Sequence, residues 1–118
     1  MKSPIKKFKI NRKNWLRGGK ARSCLLNRDG YMCCLGFYSL ARGINRQYIL
    51  EKACPSELIN KNHDFMLPEF VNLKVENDNE LSTRLMSIND SISTSDIHKE
   101  KLIKKNFKKL GVKVEFFG

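Results

Sequence analysis

Residues 93–117 constrain the fold more than any other stretch of the chain. Ser93, Thr94 and Ser95 offer N-cap oxygens, and Asp96 sits where a first helical turn would begin. Ile103, Phe107 and Leu110 then recur at i, i+4 and i+7, which predicts an amphipathic helix. Lys99, Lys101, Lys104, Lys105, Lys108 and Lys109 cover its remaining faces. Gly111 closes it, and Val112-Lys-Val-Glu-Phe-Phe117 alternates as a strand whose buried face is Val112, Val114 and Phe116. The chain therefore ends in a helix and a strand, and that strand needs a partner to satisfy its backbone donors and acceptors.

Upstream, residues 2–13 alternate loosely, with Ile5, Phe8 and Ile10 set among lysines and Pro4 opposing an early helix, so an extended arm leading into a turn is expected. Residues 1–12 read as a basic arm that need not be ordered, and 13–118 as one domain. Residues 23–27 and 31–33 flank an Asp29-Gly30 pair suited to a tight turn, which predicts a β-hairpin. From Cys34 the spacing changes to Cys34, Phe37, Tyr38, Ala41, a short buried helix that Gly43 is placed to stop. Gly36 within it is unfavourable by about 1 kcal/mol relative to Ala and marks the close approach of another backbone. Residues 45–53 can add a helical turn or two, 60–64 and 76–80 read as loop and acidic turn, and 81–88 fit a strand or a short helix equally. The expected fold is a small single α+β domain, with an N-terminal hairpin, a buried helix and the terminal helix and strand joined in one antiparallel or mixed sheet.

At 118 residues and 41% hydrophobic content the chain has material for one core. No apolar run nears the roughly 18–20 residues that span a bilayer, and charges occupy the N-terminal stretch a secretory signal would need apolar. A soluble, intracellular protein with no membrane partner is expected. Cys24, Cys33, Cys34 and Cys54 are then reduced, and Cys33 and Cys34, inside an apolar run, are read as packing residues. No Cys-x-x-Cys pair exists, and His63 and His98 lie far apart, so no metal or other cofactor is expected.

Charge is segregated along the chain. The first 46 residues hold twelve Lys/Arg against Asp29 alone, net +11; residues 47–96 hold four against nine, net −5; residues 97–118 hold seven against two, net +5. A basic block that includes Trp15 and several glycines reads as a surface for an anionic partner.

The segments Trp15-Leu-Arg-Gly18, residues 25–32, Met32-Cys-Cys-Leu-Gly36, Met86-Ser-Ile-Asn-Asp-Ser91 and Gly111-Val-Lys-Val-Glu-Phe116, taken in that order, resemble a family of small proteins encoded by tailed bacteriophages. That resemblance implies a small viral accessory protein in the cytoplasm of an infected bacterium, where a protein that held a signalling nucleotide without consuming it would serve counter-defence, the evasion of host immunity. It implies no catalytic residues.

No nucleophile with a matched base stands out, and Gly18-Gly19-Lys20 lacks the spacing of a phosphate-binding loop of the Walker type, so a non-enzyme is expected. Asn89-Asp90 could orient a metal or a water, but reads better as the turn before a helix. The leading expectation is an anionic ligand such as a signalling nucleotide. Trp15 would stack on its base, while Arg17, Lys20, Arg22, Arg42 and Arg46 gather around a loop opened by Gly18 and Gly19. The alternative is a nucleic-acid-binding protein using Lys6, Lys7, Lys9, Lys104, Lys105 and Lys108, or an anti-CRISPR-like inhibitor docking on a host nuclease. An acidic host defence protein is a third partner for the same charge, and monomer and homodimer are both open.

Overall fold

The computed structural model of the protein describes residues 5–17, 24–52, 74–75, 79–91 and 93–118. Strand β1 (Lys7–Asn11) is followed by a single 3-10 turn, helix α1 (Cys34–Ala41) and the short helix α2 (Arg46–Ile49). Strands β2 (Lys74–Val75) and β3 (Asn79–Glu80) precede helices α3 (Leu81–Asp90) and α4 (Asp96–Lys108), and strand β4 (Lys113–Phe117) ends the fold. With a radius of gyration of 13.2 Å, this is a small compact α+β structure.

The terminal helix forms as its sequence predicts. Ser95 Oγ accepts from the His98 N–H at 3.3 Å, Asp96 occupies the first turn, and Ile103 and Phe107 are fully buried. At its end the Val112 N–H reaches the Phe107 carbonyl and the Gly111 N–H the Lys108 carbonyl, a Schellman pair that needs the positive φ of Gly111 (+75°). Helix α1 ends the same way: Ile44 N–H donates to Ser39 O and Gly43 N–H to Leu40 O, with Gly43 at φ +92°.

Strand β4 finds its partner at the other end of the chain. It runs parallel to β1, with Lys7 opposite Lys113, Phe8 opposite Val114, Lys9 opposite Glu115, Ile10 opposite Phe116 and Asn11 opposite Phe117. Within the stretch 1–12 that reads as an arm, residues 7–11 are a strand of the fold, and Phe8 and Ile10 are core residues; residues 1–4 lie outside the described residues. Phe8 meets Tyr38 of α1 and Phe107 of α4 edge-on, with ring centroids 5.4 and 4.9 Å away, and these contacts join β1 to both helices.

Among the described residues the expected single antiparallel or mixed sheet is not found: β1–β4 is a parallel pair, and β2–β3 is a separate antiparallel one. The Asp29-Gly30 turn forms, with Gly30 at φ +87°, Asn27 N–H bonded to Tyr31 O and Cys33 N–H bonded to Cys24 O across it, but neither flank is a named strand. Its flanks also pair elsewhere, Leu26 bridging to Leu50 and Met32 to Trp15. Residues 81–88, open between strand and helix, belong to α3.

Candidate functional site

Asn89, at the end of α3, organises the centre of the molecule. It is fully buried, and its Oδ1 accepts from the Trp15 indole Nε1–H at 2.8 Å and from the Cys34 N–H at 3.1 Å. Its Nδ2 donates to the Leu16 carbonyl at 2.7 Å and to Asp90 Oδ1 at 3.0 Å. Cys33 gives α1 no side-chain cap, so an oxygen from another helix takes the first N–H of α1 instead. Asn89-Asp90 is therefore the end of a helix rather than the turn before one. Among the described residues no group of three His, Cys, Asp or Glu is placed to hold a metal ion.

The cations expected around the glycine loop divide. Trp15 is 4% exposed, with Phe116 5.0 Å from its ring and the Arg17 guanidinium 4.7 Å over it, so no face is open to a base. Arg17 donates to Asp96 Oδ2 at 2.6 Å and to the Arg12 carbonyl at 2.7 Å, and Lys99 Nζ, itself buried, donates to the Arg17 carbonyl at 2.6 Å. Arg12 forms a bidentate pair with Glu100 at 2.8 and 2.9 Å, and those hydrogen bonds raise its affinity for the proton above that of an ordinary arginine. These contacts fasten residues 12–17 to the first two turns of α4. Gly18, Gly19, Lys20 and Arg22 lie outside the described residues. Arg42 is buried, and Arg46 is exposed in a different place, a hollow of about 370 Å³ shared with Arg28, Leu26, Asn27, Gln47 and Leu50.

Cys24, Cys33 and Cys34 are buried cysteines that form no disulfide. Burial pushes the Cys33 thiol up to about 12, and Cys34 moves in the same direction for the same reason. Thiols held protonated in this way suit packing rather than nucleophilic chemistry. Cys54 and His63 lie outside the described residues, and His98 is exposed at the start of α4.

The lysine set behaves differently. Lys6, Lys104 and Lys108 line one open groove of about 630 Å³, together with Lys113 and a floor of Gly111, Val112 and Val114. The groove exists because the Schellman turn at Gly111 sends β4 back along α4, and the Lys6 carbonyl receives the Lys113 N–H, which brings the start of β1 alongside. Among the described residues no carboxylate lines it, and Glu115 Oε1 lies 3.8 Å from Lys113 Nζ. Lys101, Lys104, Lys105 and Lys108 are all exposed on α4, at spacings that share one side of a helix. Lys7 and Lys9 are exposed on β1, opposite in phase to buried Phe8 and Ile10. The sequence reading missed Lys113, although the alternation that turns Val112 and Val114 inward also turns Lys113 out.

Comparisons with known proteins find no match: no family model, no curated protein and no solved structure is similar to this chain.

Proposed function

We propose that this protein is a non-catalytic binder of nucleic acid, held by charge and shape along the groove of Lys6, Lys104, Lys108 and Lys113. The observation that supports this reading is that Lys6 just before β1, Lys104 and Lys108 of α4 and Lys113 of β4 line one open groove in which, among the described residues, no acid takes part. Lysine ammoniums are strongly hydrated point charges on flexible stems, suited to phosphates and poorly suited to reading base edges. An open groove also fits a chain of phosphates better than a single enclosed nucleotide. A nucleotide stacked on Trp15 draws no support from the geometry, because that indole serves the core. The resemblance to phage accessory proteins supplies the setting of the proposal, the cytoplasm of an infected bacterium, with counter-defence as the role.

The test is fluorescence anisotropy of labelled oligonucleotides across a salt series. Four phosphate contacts give a slope of log affinity against log salt of about −3 to −4, and Lys104→Gln with Lys108→Gln should reduce its magnitude by about 2. Absence of binding at low salt, or an unchanged slope in the double variant, would overturn the reading.

A further inference from the structure

We propose that the outer face of the β1–β4 pair is a platform for single-stranded nucleic acid, on which the Phe117 ring stacks an unpaired base while Lys7, Lys9 and Lys113 hold the phosphates. The inference rests on the nucleic-acid-binding reading and narrows it to one form of the ligand.

The strand registers place the platform. Side chains alternate across a strand, and Phe8, Ile10 and Val114 point into the core, so Lys7, Lys9, Lys113, Glu115 and Phe117 belong to the opposite face. Lys7 stands opposite Lys113 and Lys9 opposite Glu115, with Phe117 at the far end opposite Asn11. The face carries three lysines against one carboxylate. It also joins the groove already described, because Lys113 lines that groove and Lys6 precedes Lys7 in the chain. From Lys113 to Phe117 the strand advances about 13 Å, a short run of nucleotides.

Phe117 selects the single strand. It is 46% exposed, while its neighbour Phe116 packs against Trp15 and lies beneath Lys104 Nζ at 5.8 Å. An aromatic ring left open at the end of a lysine row offers a π-face that any unpaired base can cover. In a duplex the bases already stack on one another, and only phosphates and groove edges face outward, so the ring would have nothing to receive. Basic grooves with interspersed aromatic rings are the general means of holding single strands without sequence preference.

The probe is an oligothymidylate of about ten nucleotides, compared with a mixed-sequence duplex of the same length. Phe117→Ala should weaken oligothymidylate binding about tenfold and leave both its salt slope and the duplex affinity unchanged. Phe117→Trp should retain binding and show emission quenched on addition of oligothymidylate, with the wild type as blank because Trp15 is buried. If both ligands bind with a salt slope that depends on Lys104 and Lys108, yet Phe117→Ala changes nothing and Phe117→Trp is not quenched, the platform is refuted while the groove stands. Emission of Phe117→Trp that shifts with protein concentration and ignores the oligonucleotide also refutes it, identifying the face as a contact between copies. If neither nucleic acid binds, both readings fall together.

Discussion

At the scale of single residues, Asn89 is the most demanding position in the molecule. Replacing it with Leu leaves the Trp15 indole N–H, the Cys34 N–H and the Leu16 carbonyl without their partner. Each buried group abandoned in this way costs about 1–3 kcal/mol, so Asn89→Leu should lower stability by several kcal/mol in urea unfolding. Trp15→Phe removes one donor and should be milder. Because the two residues share a bond, the double variant should lose less than the sum of the singles. The thiols give a second residue-level expectation. A Cys33 thiol raised to about 12 from an ordinary value of 9.0 contributes stability that is complete below about pH 9 and is lost as pH climbs toward 12. Urea unfolding from pH 8 upward should show that decline, and Cys33→Ala should reduce its slope. In a Cys54→Ser background, a thiol reagent at pH 8 should label no cysteine until the protein is unfolded.

Among the elements, α1 depends on closeness rather than on its own propensity. A Cβ at Gly36 would overlap the Leu25 carbonyl and sit 3.0 Å from Met32 Cβ. Gly36→Ala gains roughly 1 kcal/mol of helix propensity, but forcing backbone apart costs about 1–3 kcal/mol or more. A lower melting temperature is therefore expected, contrary to the usual effect of Gly→Ala inside a helix. The elements also show what could be read in advance. Helices α1 and α4 and strand β4 were legible because their evidence is local: apolar spacing, Ser95 as cap, and Gly43 and Gly111 as stops. The role of Gly36 was legible for the same reason, since an unfavourable glycine within a helical pattern needs a neighbour to explain it. The hairpin was only partly legible, because Asp29-Gly30 specifies a turn but not every partner of its flanks, some of which Leu50 and Trp15 supply from a distance. For the site, Lys6, Lys104 and Lys108 could be named as candidates from their charge, but nothing in the sequence says that they share a groove. Trp15 and Arg17 were read as ligand-binding, and their distant partners Asn89 and Asp96 give them structural roles.

For the molecule as a whole, the pairing of β1 with β4 closes the fold. Among the described residues β4 has no other strand beside it, and β1 contributes Phe8 and Ile10 to the core. Deleting residues 1–11 should therefore abolish cooperative unfolding and cause binding of a hydrophobic dye, whereas loss of an independent arm would leave the melting curve intact. The charge follows the same geometry, because the basic segments at the two ends of the sequence become one surface only when these strands meet. That long reach has a consequence during synthesis. Lys7 must await Lys113, about a hundred residues later, an interval of roughly 5–20 s at ribosomal rates of about 5–20 residues per second. Throughout it, an apolar strand bearing Phe8 and Ile10 stands unmatched, the kind of segment that draws nascent chains into aggregates. Lys6, Lys7 and Lys9 flank those two side chains and repel neighbouring copies, so the cations that later face an anionic partner first act as gatekeepers for the unfinished polypeptide.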